Sequence, residues 1–204
     1  MRPWLFLVTM RSMVKQKSGK PPGKVRIIGG RWRGRRIQCL PGAPVRPTGD
    51  RIRETLFNWL APYIRDARCL DLFAGTGALG IEALSRGADN VVFVEKHVSL
   101  ARQIETTLDE LDENRGQVLV SDARAFLTRP PGQFDIVFLD PPFGVIEPIN
   151  LCTLLANGWL AADALIYIES GSDDAAENYP PGWDVVRDKT TGRVRYRLLR
   201  SGDT

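Results

Sequence analysis

The segment Asp71-Leu72-Phe73-Ala74-Gly75-Thr76-Gly77-Ala78-Leu79-Gly80 limits the fold more than any other part of the chain. It joins an apolar strand, Cys69 to Phe73, to a helix from Gly77 to Arg86 that Gly87 ends. Gly75, Gly77 and Gly80 make a G-x-G-x-x-G spacing, in which backbone without side chains turns tightly and lets a ligand come close. The rest of the chain continues the alternation. Strands are expected at Val91 to Glu95, Val118 to Ser121, Phe134 to Leu139 and Ala164 to Glu169. Helices are expected at Ser99 to Leu111, just after Ser121, and around Leu151 to Leu155. Apolar strands spaced by helices imply a parallel sheet buried on both faces. Trp183 to Asp188 and Arg193 to Arg200 flank Thr190-Thr191-Gly192, a hairpin pattern, so the last strand should run antiparallel. The fold class is α/β: a Rossmann-like sheet, mostly parallel, with an antiparallel last strand and a small N-terminal basic hairpin.

The N-terminal quarter differs in composition. Residues 1–53 carry 14 Lys and Arg against one acidic residue, Asp50, whereas residues 54–204 carry 14 against 23. A basic arm on an acidic body points to a polyanion held mainly by one end. Residues 1–24 read as a flexible basic arm, broken by Gly19, Pro21, Pro22 and Gly23. Met10 and Met13 offer alternative starts, so the first dozen residues read as a mis-assigned leader upstream of the true start and not as a signal peptide. Val25 to Ile28 reads as a short strand, Gly29-Gly30 as a tight turn, and a second strand should run to about Leu40. A helix from about Asp50 to Leu60 follows, with Thr48 as its expected N-cap. Arg31, Arg33, Arg35 and Arg36 surround Trp32, a mixture suited to phosphates and an unpaired base. Arg46, Arg51 and Arg53 should continue that surface toward the glycine loop.

The loop residues indicate a cationic, adenosine-containing ligand. Asp71 ends its strand four residues before Gly75. A carboxylate there meets a cationic amino-acid group and repels a pyrophosphate, which favours S-adenosylmethionine over a dinucleotide. Glu95, at the end of the next strand, can accept both ribose hydroxyls. Asp122, after the third strand, is placed for the adenine amine or as a helix N-cap, and one side chain can serve both. Phe73, Thr76, Gly77, Lys96 and Ala123 complete the candidate cofactor set. A second site is Asp140-Pro141-Pro142-Phe143, after the strand Phe134 to Leu139. Two prolines stiffen the loop, Asp140 and the Pro141 carbonyl are acceptors, and Phe143 offers a face for stacking. Together they suit a planar base with an exocyclic amine.

Asp140 to Phe143 resembles the D/N-P-P-Y/F motif of methyltransferases that act on exocyclic amines. Further segments are similar to the RsmD family: Arg26 to Gly30, Trp32 to Gly34, Arg46 to Leu60 and Asp71 to Ala88. The resemblance runs from about Val25 to Arg200 and implies bacterial 16S ribosomal RNA guanine-N2 methylation with S-adenosylmethionine. It also implies a seven-stranded sheet, small-subunit ribosomal RNA in an assembled or assembling 30S particle as partner, and a cytoplasmic protein. The expected organisation is a basic arm (1–24), an RNA-binding hairpin and helix (25–60) and a methyltransferase core (61–204).

Other chemistries fit less well. His97 is the one histidine, and Cys39, Cys69 and Cys152 lie far apart, so neither a histidine-rich metal site nor a disulfide framework is expected. No membrane span and no metal are expected, and the default oligomeric state is a monomer. A methyltransferase of exocyclic amines in DNA or another RNA is the main alternative, though for DNA 204 residues leave little room for a separate target-recognition domain. An NAD-dependent oxidoreductase conflicts with Asp71, and a catalytically dead RNA-binding protein conflicts with the intact Asp71, Gly75, Gly77 and Asp140.

Overall fold

The computed structural model describes residues 23–40, 49–142, 147–172 and 179–202. Thr48, Arg46 and Phe143 lie outside them. An antiparallel pair, β1 (Lys24–Arg26) and β2 (Arg36–Gln38), leads to α1 (Asp50–Trp59). Alternation follows: β3 (Arg68–Asp71), α2 (Ala78–Ser85), β4 (Asn90–Glu95), α3 (Val98–Glu110), β5 (Gly116–Val120), α4 (Ala123–Phe126) and β6 (Phe134–Leu139). The chain ends with α5 (Pro148–Leu155), β7 (Leu160–Gly171), β8 (Asp184–Thr191) and β9 (Val194–Arg200). Seven strands form one sheet in the order β5-β4-β3-β6-β7-β9-β8. The first five are parallel, and β9 runs antiparallel between β7 and β8. This is the mostly parallel α/β sheet with an antiparallel last strand that the strand pattern implied, with the seven strands that the family resemblance implied.

Side chains alternate between two cores. Cys69, Ile136, Phe138, Leu165, Tyr167, Tyr196 and Leu198 face α1, α2, α3 and the N-terminal hairpin. Leu70, Val137, Leu139, Ile166, Ile168 and Leu199 face α4 and α5. The chain adds β4 and β5 on one side of β3, then returns to place β6 on the other. Ligands of open α/β sheets bind where the order reverses, at the carboxyl ends of the strands. Here that crevice lies between β3 and β6, with Asp71 at the end of β3, opposite Phe138, and Asp140 two residues beyond Phe138, just past the end of β6.

The hairpin differs from its expected form. Gly29-Gly30 makes no tight turn; residues 27–35 form the connection, closed by the Ile27 amide on the Arg35 carbonyl (2.9 Å) and the Gly34 amide on the Ile27 carbonyl (2.8 Å). The glycines dock on α2 instead. The Ile28 and Gly29 amides donate to the two carboxylate oxygens of Glu82 at 2.7 and 2.8 Å. The Ser85 hydroxyl donates to the Gly29 carbonyl at 2.6 Å and accepts from the Trp32 amide at 3.0 Å. A Cβ on Gly30 would stand 1.8 Å from the Ser85 carbonyl oxygen, and Gly30 has φ +74°. Only glycine fits there.

Glu82 also takes Arg86 Nε at 2.7 Å and faces Arg53 Nη1 at 3.9 Å. Both Glu82 and Arg53 are fully buried. Arg53 Nη2 donates to the Arg26 carbonyl (2.9 Å) and to Asp50 (2.7 Å). Hairpin, α1 and α2 therefore meet at one carboxylate. Replacing Glu82 by alanine strands three donors and removes one of the two carboxylates that face buried Arg53. The expected destabilisation is about 3–5 kcal/mol, measured by urea denaturation. A loss below about 1 kcal/mol would assign the docking to apolar packing instead.

Candidate active site

The loop between β3 and α2 is built by hydrogen bonds to the carboxyl end of the neighbouring strand β4. Ala74 donates to the Val94 carbonyl at 3.0 Å, and Gly75 donates to Glu95 Oε2 at 2.8 Å. Glu95 Oε1 accepts from the His97 amide at 2.8 Å. The carboxylate at the end of β4 thus fixes the glycine loop and the entry to α3 together. Gly77 takes φ +76° at the N-cap of α2, where a Cβ would press on Ile81 and Ile104 at 3.1 Å. Gly80 packs so closely on Phe93 that a Cβ would lie 2.2 Å from the ring. Its amide donates to Asp71 Oδ2 at 3.0 Å. Strand, loop and helix are tied to one carboxylate from below.

Asp71 is 2% exposed. Burial pushes its carboxyl up to about 7, the Gly80 amide resists, and the negative charges of Asp140 and Glu95 add to the rise. Three carboxylates therefore face one crevice, although among the described residues no group of three or more such side chains can hold a metal ion. Such a crevice is relieved by a large cation that spreads its charge. The residues present fit a ligand with an ammonium and a sulfonium.

Asp140 is half-buried after β6, Pro141 is buried and Pro142 exposed. By alternation from Ile136 and Phe138, Asp140 lies on the α1 face of the sheet. Glu169, at the end of β7 on the same face, is buried and accepts from the Tyr167 hydroxyl at 2.6 Å. Burial raises the Tyr167 phenol well above its ordinary value, and the charges of Glu169 and Asp140 reinforce that shift. The sequence reading missed this pair. A tyrosine and a glutamate two residues apart on an apolar strand are the signal that was available. It also missed Glu82, the one charge in the apolar run Ala78 to Leu84.

Most other candidate residues sit around the crevice. Thr76 and Ala123 are buried, Phe73 is half-buried, and Lys96 and Asp122 are exposed. Asp122 caps α4, its Oδ1 accepting from the Arg124 and Ala125 amides at 2.9 and 3.3 Å. Two candidates for RNA contact are corrected. Trp32 is 4% exposed and packs with Val25, Ile27 and Ile37, so its ring has no face to offer a base. Arg53 is fully buried and engaged by Asp50, Glu82 and the Arg26 carbonyl. Arg31, Arg33, Arg35, Arg36 and Arg51 are exposed. The Arg31 amide bonds the Ser85 carbonyl and the Arg35 guanidinium bonds the Glu110 carbonyl, at the C-terminal ends of α2 and α3. The hairpin tip therefore stands one helix length, about 12 Å, from the glycine loop.

A family model described as conserved hypothetical protein 95 matches residues 25–200. Ribosomal RNA small subunit methyltransferase D of Escherichia coli (strain K12) is 46% identical over 190 residues, covering 92% of this chain and 95% of that protein. The Haemophilus influenzae protein of the same name is 44% identical over 194 residues, covering 93% and 100%. The solved structure of yhhF from Escherichia coli superimposes with a TM-score of 0.82 at 44% identity, over 88% of this chain and 99% of that one. The 16S rRNA N2 G1207 methyltransferase RsmC of T. thermophilus, solved with AdoMet and guanosine, shares the fold. Its TM-score is 0.68 at 23% identity, over 90% of this chain and 50% of that one.

The raised Asp71 carboxyl has a consequence for stability. A group with a folded-state value above its unfolded one stabilises fully below the unfolded value and loses that contribution as pH rises through about 7. Asp71→Asn, which cannot ionise, should therefore gain on the wild type between about pH 4 and about pH 7, by up to about 4 kcal/mol, and hold that gain above it. Thermal unfolding of both proteins across that range measures it. A stability difference that does not change with pH would remove Asp71 from the buried acidic cluster.

Proposed function

The chain belongs to the ribosomal RNA small subunit methyltransferase D family, and from that premise we propose that it moves a methyl group from S-adenosylmethionine to the exocyclic N2 of a guanine in small-subunit ribosomal RNA. The observation that carries this reading is the placement of Asp71 at the end of β3 and of Asp140 just after β6, two adjacent parallel strands at the sheet's switch point. One of them holds a cation; the other accepts hydrogen bonds from an amine.

Asp71 would hold the cationic amino-acid end of the cofactor, beside Phe73, Gly75, Thr76 and Gly77. Glu95 would accept the ribose hydroxyls, since each carboxylate oxygen has a second lone pair beyond its backbone bond. Asp122, Ala123 and Lys96 would border the adenine. When bound, S-adenosylmethionine supplies a methyl group already activated by the positive sulfonium. The remaining work falls to the protein. Asp140 and the Pro141 carbonyl would accept the two N–H groups of the target amine and turn its lone pair outward. They would also stabilise the positive charge that grows on nitrogen. Pro141 and Pro142 keep these acceptors in place, because their φ angles are fixed before the base arrives. Phe143 would stack on the base, offsetting part of the cost of unstacking it. The proton would leave through Asp140 or water, so no histidine is needed.

The exposed Arg31, Arg33, Arg35, Arg36 and Arg51, with Arg46, would contact the RNA. The partner is taken to be the assembled or assembling 30S particle and the enzyme a monomer. The cytoplasm, where ribosomes are built, is the fitting compartment. The absence of any disulfide at Cys39, Cys69 and Cys152 accords with it. Among the described residues no helix is long and apolar enough to cross a membrane.

Asp140→Ala should lower single-turnover methylation of unmethylated 30S subunits by about a hundredfold, the effect of losing a transition-state acceptor. Calorimetric affinity for S-adenosylmethionine should stay near the wild-type value. A variant that turns over at the wild-type rate would take Asp140 out of the mechanism.

A further inference from the structure

Charge is unevenly spread along the body. Residues 54–184 carry 8 Lys and Arg against 21 acidic residues, whereas residues 185–200 carry six against one, Asp188. The second basic stretch is the β8–β9 hairpin, and the sheet register decides where it points.

Strand β9 runs antiparallel to β7, with Glu169 opposite Tyr196 and Gly171 opposite Val194. The start of β9 therefore lies at the carboxyl end of β7, the edge that carries Asp71 and Asp140. The tip of the hairpin, Thr191 to Arg193, rises beyond that edge, and the Arg193 carbonyl accepts from the Ser172 amide at 3.0 Å. Lys189 pairs with Tyr196 and so lies on the α1 face, in one cross-strand row with Tyr196 and Glu169; Asp140 follows Leu139, which pairs with the residue before Glu169. Arg193 is two strands from β6, a lateral distance of about 10 Å. By contrast, the arginines of the N-terminal hairpin tip sit at the opposite ends of α2 and α3.

Lys189 and Arg193 are exposed, as are Thr190 beside them and Gly192 between the strands. Asp188 does not neutralise them: it is paired with Arg195, at 3.1 Å to Nε and 2.5 Å to Nη2. Two cations and a hydroxyl on a rigid hairpin match the phosphate groups of a nucleic-acid strand. An acidic body would otherwise repel that strand from the crevice.

We propose that the β8–β9 hairpin is a second RNA-contacting surface, on which Lys189 and Arg193 hold the phosphate backbone next to the nucleotide presented to Asp140. The proposal rests on the reading that the substrate is small-subunit ribosomal RNA. The two basic hairpins then grip the RNA at separate points, one beside the crevice and one remote from it.

The test uses the full chain and unmethylated 30S subunits, with wild type, Lys189→Ala/Arg193→Ala and the charge-reversed Lys189→Glu/Arg193→Glu. The alanine variant should raise KM for the subunits about tenfold and flatten the dependence of log affinity on log salt by about 1.5, as two lost phosphate contacts require. Charge reversal should weaken binding further. Calorimetric affinity for S-adenosylmethionine and kcat at saturating subunits should remain those of the wild type, which also shows that the variants fold. Unchanged KM and salt slope in both variants would overturn the proposal, and so would a fall in kcat alone. The underlying reading fails separately: in that case the wild type itself binds S-adenosylmethionine but does not methylate the subunits.

Discussion

A single buried carboxylate, Glu82, organises this protein. It sits mid-way along α2, where burial would be costly without partners. The backbone amides of Ile28 and Gly29 and the guanidinium of Arg86 supply those partners, with the Arg53 guanidinium facing it. Ile28 and Gly29 come from the hairpin connection, Arg53 from α1 and Arg86 from the end of α2 itself, so satisfying one charge joins hairpin, first helix and second helix. The glycines of the docking segment follow from this: a Cβ at Gly29 would strike the Arg86 guanidinium, and one at Gly30 the Ser85 carbonyl. Because α2 begins at Gly77, anything that shifts the helix also shifts the loop that holds the cofactor.

The crevice uses the opposite electrostatic device. Glu82 is matched by cations, whereas Asp71 is held by backbone amides and pushed up to about 7 by burial, with the negative charges of Asp140 and Glu95 adding to the rise. Their mutual repulsion is a cost in the empty protein that a cationic ligand removes on binding, and this gives the site its preference for a sulfonium over a pyrophosphate. Gly80 shows how tightly the site and the fold are bound together. Its missing side chain lets α2 lie on Phe93, and that contact brings its amide to Asp71.

The same division runs through the surface. A strongly acidic middle section lies between two basic stretches that are far apart in sequence. The fold places the N-terminal hairpin tip at the rear of α2 and α3 and the β8–β9 hairpin at the front edge of the sheet. A protein with an acidic middle section can take a polyanion as substrate when its cations are concentrated in this way, since screened surface charges act over about 10 Å.

The sequence alone determined the alternation of buried strands and helices, the switch-point loop, the antiparallel end and the order of the acidic residues at strand ends. Those features depend on neighbours within a few positions or on apolar runs that have only one place to go. What it could not decide was the fate of residues whose environment comes from distant segments. Trp32 and Arg53 look like RNA contacts beside so many arginines. Both are interior, because a three-residue strand pair must bury its largest apolar side chain, and Arg53 must meet the buried charge 29 positions away at Glu82. The direction of the hairpin tip, and the insertion of β9 between β7 and β8, are likewise matters of long-range pairing. Burial and register are settled by what packs opposite, and that partner is not written in the local sequence.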